Sequence, residues 1–233
     1  QLWAGQSKPF TRNNVKKYLR QLGLTCKWDY VGHHESHAAH YYNSGLEDAT
    51  IIVLDSIGEF DCTSVWKAEG NSIKTLISSK YPHSIGLFYS AMTQRVGLVP
   101  QQDEGKFDKW SNECKDYSRL NYIMEYEFMK QLYPLPKFKR NFHRGARNWA
   151  QEYTNEEIAS ATSSLFERII NNVLFVAKDM NDSKNLVISG GVAFNSQMPR
   201  LVGKLWNNLY IPKNPSDSGS AEGAILAYKY NHV

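Results

Sequence analysis

The 233-residue chain holds only three cysteines, Cys26, Cys62 and Cys114, an odd number with neither CxxC nor CxH spacing. That excludes a disulfide framework and a cysteine-built zinc site, and a reducing cytoplasm is the compartment that fits best. No apolar run approaches the ~20 residues needed to cross a bilayer. The start also lacks a basic segment followed by an apolar one, so neither a membrane partner nor a secretory signal is expected. Charge of one sign is scarce: 27 basic and 23 acidic residues leave a net charge of +4, interspersed rather than gathered into long blocks. Nucleic acid is therefore allowed as a partner but not favoured. The most basic stretch, Lys137 to Arg147 (KFKRNFHRGAR), interleaves cations with Phe138 and Phe142, the composition of a nucleic-acid or phosphate patch as well as of a solvated loop. Repeats and low-complexity tracts are missing too. The first residue is Gln1, so the chain is expected to be a fragment or a processed piece.

What is present is a globular composition, 42% hydrophobic, enough for one large domain or two small lobes. Phe10 to Leu22 reads as a helix that Thr11 can cap, with Val15, Tyr18, Leu19 and Leu22 on one face. A short strand is expected at Trp28 to Val31. From Ala49 onward, a β-branched run and two alternating segments, separated by Gly58 and by Gly70-Asn71, predict a three-stranded antiparallel meander. Helices are expected at Ser84 to Val96, Leu120 to Leu132 and Asn155 to Met180, the last capped by Thr154. Gly97 to Gly105 reads as a turn-rich connection. Then come a strand ending in Gly190-Gly191, a helix to about Leu205, a strand at Leu209 to Ile211 and a final helix from Ser218 to Tyr230. Helices packed on a mixed sheet are the expected architecture.

Four segments can carry chemistry. Gly32 to Tyr42 places His33, His37 and His40 at i, i+4 and i+7, one side of a helix, which suits a metal ion or catalysis better than helix capping. The zinc-protease pattern HExxH is not met, because His37, not residue 38, follows His34-Glu35. Next, a buried-type strand, Ile51 to Leu54, delivers Asp55 at its end, followed by Gly58 and Glu59. This is either an ordinary turn or a loop whose aspartate reaches a cation and whose backbone N–H groups meet an anion. Third, Leu186 to Asn195 runs from strand to paired glycines to helix, an arrangement that exposes a helix start to a phosphate. Fourth, Asp217 begins a helix rich in glycine and alanine, Ser218 to Ala224.

In this order and spacing the segments resemble the N-terminal domain of the O-carbamoyltransferases of the nodulation-factor, cephamycin and tobramycin type. The resemblance lies in His33-His34-Glu35-Ser36-His37-Ala38, Asp55-Ser56-Ile57-Gly58-Glu59, Pro82-His83-Ser84-Ile85-Gly86 with Tyr89, Gly190 to Asn195, and Asp217 to Ala224. It implies an α/β, actin-like and sugar-kinase-like (ribonuclease H-like) fold, similar to the tRNA threonylcarbamoyl-transfer subunit and incomplete at the N-terminus, over residues 1–233. It further implies that His33, His37, Asp55 and Asp217 hold Fe(II) or Zn(II), and that His40 is only a neighbour. Gly58, Glu59, Lys106, Gly190, Gly191 and Asn195 would meet the nucleotide; His34, whose ring is expected to point away from the His33 face, is the candidate acid or base. The implied reaction passes a carbamoyl group from carbamoyl-adenylate, made from carbamoyl phosphate and ATP by a YrdC-like domain, to a small-molecule hydroxyl acceptor.

The chain departs from the family in several places. The opening strand and the His-Asp loop that completes the phosphate site have no counterpart before Gln1. Glu104-Gly105-Lys106 keeps the lysine of its segment without the glycine-containing continuation, and Ser111 to Asn148 show no likeness. The YrdC-like domain is absent, so such a domain or the remainder of a longer chain is an expected partner. Two other readings remain: a non-catalytic interaction module that retains the fold, and a carbamoyl or threonylcarbamoyl transferase acting on nucleic acid through the 137–147 stretch.

Overall fold

The structure is a computed structural model, and it describes residues 14–111, 118–203 and 205–231. Helix α1 covers 14–21; Thr11, its expected cap, lies outside the described residues. Helix α2 (His33–Ala38) runs into a 3-10 turn, Ala39–Asn43. The meander follows as β1 (Asp48–Gly58), β2 (Asp61–Glu69) and β3 (Ser72–Lys80), then α3 (Ile85–Arg95), α4 (Glu104–Ser111) and α5 (Ser118–Phe128). A small hairpin, β4 (Met129–Gln131) and β5 (Lys137–Phe138), leads to the long α6 (Asn155–Met180). The chain closes with β6 (Asn185–Ser189), α7 (Met198–Val202), β7 (Asn208–Tyr210) and α8 (Ser220–Asn231).

The main sheet has the order β3-β2-β1-β6-β7. The meander is antiparallel, whereas β1 pairs with β6 and β6 with β7 in parallel. β1 reads as a continuous apolar run because both of its faces are covered. Ile52 and Leu54 point into the larger core with Phe88, Phe166 and Ile169. Ile51 and Val53 point into a smaller one with Ala38, Tyr41 and Val187. The sheet is thus sandwiched between α3 and α6 on one side and α2, backed by α8, on the other, and the expected mixed α/β architecture is what is observed. No helix among the described residues is long and apolar enough to cross a membrane.

Four local expectations are corrected. Trp28 to Val31 forms no strand and instead leads irregularly into α2. The helix expected through Leu132 stops at Phe128, where Pro134 and Pro136 favour the tight connection between β4 and β5. The stretch read as turn-rich is so as far as Asp103, but a helix not expected there, α4, begins at Glu104, and its Phe107 is fully buried. After Gly190, at φ +93°, the chain makes a 3-10 turn, Gly191–Phe194, and restarts as α7 with Pro199 in its first turn. By contrast α6 has the predicted limits, because Thr154 and Glu157 form a reciprocal capping box.

Glycine positions α8 on the site. A Cβ on Gly223 would lie 1.9 Å from the Ser36 carbonyl oxygen, so the α8 backbone rests directly on α2. Asn231 Nδ2 donates to Glu35 Oε1 at 2.8 Å, and the Tyr42 and Tyr230 rings stack at 3.9 Å. The last helix therefore fixes the first histidines.

Candidate metal centre

Four side chains from three places in the sequence converge at the C-terminal end of β1. The Nε2 atoms of His33 and His37 lie 3.1 Å apart, one helical turn from each other on α2. His33 Nε2 is 3.0 Å from Asp55 Oδ2 and 3.2 Å from Asp217 Oδ1. His37 Nε2 is 3.5 Å from Asp217 Oδ1 and 4.0 Å from Asp55 Oδ2. One ligand atom from each residue falls within 4.8 Å of all the others. Asp55 arrives near the C-terminal end of β1, directly after its buried run from Ala49 to Leu54. Asp217, with its side chain 74% exposed, arrives through a loop tied to β6, where Pro215 O accepts from Gly190 N at 2.6 Å and from Ser189 Oγ at 3.2 Å.

The protons show what this cluster is suited to hold. Ser189 Oγ spends its single hydrogen on Pro215 O, so its lone pair faces His37 Nδ1 at 3.4 Å. That assigns the His37 proton to Nδ1 and leaves Nε2 as a lone pair aimed into the cluster. His33 Nε2 carries at most one hydrogen for three acceptors, His37 Nε2 and the two carboxylates. Lone pairs therefore outnumber protons, which suits a cation. The spacing fits as well, since two ligands at zinc–nitrogen distance from one ion lie roughly 3.3 Å apart in a tetrahedron. Two imidazoles and two carboxylates suit zinc and ferrous iron alike.

Electrostatics agree with this assignment. Burial and the neighbouring His33 lower the His37 pKa, favouring the neutral ligand form. Burial also pulls on His33, but the hydrogen bond that it donates to Asp55 and the charges of Asp55, Asp217 and Glu59 outweigh it and raise its pKa. Burial works to raise the Asp55 pKa, yet hydrogen bonds from His33 and the Ser56 N–H, with the histidine charges, bring it down to about 2.

His40 turns elsewhere. The helix tightens to a 3-10 turn after Ala38, and His40 Nε2 donates to Gly219 O at 3.2 Å. The third histidine of the i, i+4, i+7 series is thus a backbone clamp on the Asp217 turn.

Beside the cluster lies a cavity of about 560 Å³ that shares Asp55 and Asp217 with it, within the size range of small-ligand pockets. Gly191 and Asn195 line it, with Tyr89, Glu104 and Asp108. The remaining expected nucleotide residues sit outside its lining. A Cβ on Gly58 would lie 2.5 Å from the Cδ2 atoms of His33 and His34, so this glycine makes room for imidazoles. Glu59, at φ +61°, occupies the β1–β2 turn. Lys106 points outward from α4 with its Nζ 5.3 Å from the Trp110 ring centroid, because Glu104 and Asp108 take the inward face. Gly190 stands one residue behind the wall.

His34 is 4% exposed and does not line the cavity. Its Nδ1 is 2.6 Å from Ser64 Oγ, and its buried Nε2 has no hydrogen-bond partner. Burial is the largest cause of its pKa falling to about 4. An unfolded histidine takes up a proton near pH 6.5 while folded His34 refuses it until about pH 4. Stability is therefore full above pH 6.5 and drains away by about 3 kcal/mol as the pH drops through that window. Denaturant titrations at pH 7 and pH 4.5 should show the loss, and His34→Gln should flatten it; an unchanged slope in the variant would refute the assignment.

Ser189 and Ser64 escaped sequence reasoning, since a serine in a strand carries no signal until its neighbours are known. Ser189→Ala should weaken metal binding about 10- to 100-fold, the usual cost of removing a group that orients a ligand. Competition with a chelator of known affinity measures it, and unaltered affinity would mean that Ser189 does not set the His37 tautomer.

A family model described as Carbamoyltransferase N-terminus matches residues 12–226. The chain belongs to this carbamoyltransferase N-terminal family. Among curated relatives, an uncharacterized protein of Synechocystis sp. is 27% identical across 98% of this chain and 42% of its own length. The nodulation protein NolO of Bradyrhizobium diazoefficiens is 24% identical across 84% of this chain and 38% of its own length. This carbamoyltransferase N-terminal chain spans under half the length of the curated relatives it matches. Among solved structures, HypF of T. kodakarensis superposes with a TM-score of 0.58 at 12% identity, covering 94% of this chain and 39% of that one. The activator of 2-hydroxyisocaproyl-CoA dehydratase from Clostridium difficile, with bound ADPNP, superposes with a TM-score of 0.50 at 16% identity, covering 91% and 70%. These likenesses establish the actin-like α/β fold.

Proposed function

We propose that this chain is the metal- and nucleotide-holding part of an O-carbamoyltransferase that moves a carbamoyl group from carbamoyl-adenylate to a hydroxyl acceptor. The observation that carries the reading is that Asp55 and Asp217 belong both to the His33–His37 cluster and to the wall of the adjoining cavity. Family membership supports the carbamoyl group, and the bound ADPNP of a solved protein with the same fold supports the nucleotide. A donor reaches this chain from a YrdC-like domain or from the remainder of a longer chain, which uses carbamoyl phosphate and ATP.

His33, His37, Asp55 and Asp217 would hold iron or zinc, and the bound ion would supply Lewis-acid stabilisation of the phosphate. In the transfer, the acceptor oxygen forms a bond to the carbamoyl carbon, the anhydride C–O bond breaks, and AMP leaves with the electron pair while the hydroxyl proton is released. The backbone at Gly191 and the side chain of Asn195 orient the nucleotide. Tyr89 and Ser196, both hydrogen-bonded to Asp108, keep the far wall in place. His34 acts as a positioning residue: neutral and buried, it holds α2 to β2 through Ser64.

The test is titration of a non-hydrolysable ATP analogue into the metal-loaded chain, the chelated chain and Asp217→Asn. Binding that requires metal and weakens in the variant is expected, followed by label transfer from carbamoyl phosphate to a hydroxyl when ATP and a YrdC-like enzyme are added. Nucleotide binding indifferent to both metal and Asp217 overturns the reading.

A further inference from the structure

The metal centre and its cavity make no use of the chain's most basic surface. Residues 128–151 contain six lysines and arginines and no aspartate or glutamate, more positive charge than the net +4 of the whole chain. All six, Lys130, Lys137, Lys139, Arg140, Arg144 and Arg147, are exposed, and none makes a salt bridge among the described residues. The adjacent acidic side chains are engaged, Glu125 by Arg168 and Glu127 by the Trp149 indole N–H at 2.7 Å. Glu125 is offset by Arg168, whereas Glu127 keeps its charge, and the six cations still leave this surface net positive.

Aromatic rings continue this surface. Tyr122 and Tyr126, one turn apart on α5, are 69% and 66% exposed. Their rings lie within 14° of parallel at 6.2 Å. Lys139 Nζ sits 4.8 Å from the Tyr126 ring centroid and donates to the Tyr126 carbonyl, and the Arg140 guanidinium stands 5.3 Å from the Phe128 centroid. Lys139 and Arg140 thus bring the β4–β5 side of this basic segment against α5 and its exposed tyrosines, and the segment is held to the fold where Phe138 N donates to His83 Nδ1 at 3.2 Å.

We infer that this face, α5 together with the β4–β5 hairpin and the segment to Arg147, binds single-stranded nucleic acid. Cations beside exposed rings suit that partner: phosphates meet the lysines and arginines, and unpaired bases stack on tyrosine. Duplex DNA hides its base faces, and an acidic protein surface offers charge without flat rings, so neither would use Tyr122 and Tyr126. The inference is independent of the proposed carbamoyl chemistry, because the face contains none of the metal-centre or cavity residues.

The experiment is fluorescence anisotropy of labelled U20 RNA with the full 233-residue chain, with heparin as a polyanion that has no bases. RNA binding is expected to weaken roughly 20-fold between 50 and 200 mM salt if three phosphates are neutralised. Tyr122→Ala with Tyr126→Ala should weaken RNA binding about tenfold or more while leaving heparin binding unchanged. Lys137→Ala with Arg140→Ala and Arg144→Ala should weaken both ligands and lower the salt dependence. Circular dichroism melts verify that each variant folds, and a single Tyr122→Phe variant, which keeps the ring, should bind as the parent does. No RNA binding at 50 mM salt overturns the inference. RNA binding that the tyrosine pair does not affect also overturns it and assigns the face to acidic partners in general.

Discussion

Replacing His37 with alanine is expected to strip the purified chain of its metal. His37 is fully buried, and its Nε2 has its proton assigned away from the cluster by the Ser189 hydrogen bond to the ring's other nitrogen. It is the ligand with a fixed lone pair, whereas His33 is shared among three acceptors. Loss of an orienting partner alone costs about 10- to 100-fold in affinity, so removal of the ligand itself should exceed roughly 100-fold. Elemental analysis after loading with iron or zinc should give one ion per unaltered chain and close to none for His37→Ala. An ion held at 100 times its dissociation constant also stabilises the fold by about 2.7 kcal/mol. A chelator should therefore lower the melting temperature of the unaltered chain and leave that of the variant unmoved. His37→Gln keeps most of the buried volume and separates ligand loss from a packing defect. An unaltered chain that takes up no metal, or a variant that retains it, would overturn the site.

The parts of this arrangement that could be read in the sequence are those set by local chemistry. Thr154 announces the start of α6, because a helix cap is a local signal; the structure adds Glu157, which closes the capping box. The meander was legible because β1 to β3 pair with their neighbours in sequence. The histidine spacing points to a metal and the strand end offers Asp55 to a cation, but only the family resemblance joins these to Asp217 in one site, since nothing local links His33 to Asp217 across the length of the chain. The illegible parts depend on tertiary packing. The sequence leaves Gly58 as either an ordinary turn or an anion-meeting loop, and only the fold shows two imidazole rings occupying the space of its missing side chain. Lys106 was assigned to the nucleotide, yet one helix face cannot present it inward alongside Glu104 and Asp108. The helix expected after Gly191 is a 3-10 turn because the backbone must pass close to β1 before it can restart.

That close passage gives Gly190 a large expected effect on stability, since here a backbone clash coincides with a positive φ. Its φ of +93° and ψ of +161° lie in a region that side-chain-bearing residues rarely enter. A Cβ there would stand 2.2 Å from the Leu54 carbonyl oxygen and 2.6 Å from its carbon, both backbone atoms of the central strand. The strained conformation costs about 1–3 kcal/mol and the overlap a similar amount. Gly190→Ala should therefore destabilise the fold by roughly 4 kcal/mol, a large share of a domain's usual 5–15 kcal/mol. The damage reaches the site as well, because Gly190 N and Ser189 Oγ both bond to Pro215 O and so hold the loop that delivers Asp217. Urea titration should show the midpoint falling sharply, and metal affinity in the residual folded fraction should fall with it. Gly203→Ala is the control: its Cβ would meet nothing nearer than the Pro199 carbonyl oxygen at 3.4 Å, and its φ of −57° is ordinary. Equal stability of the two variants would show that the backbone at Gly190 or at Leu54 yields where the geometry says it cannot.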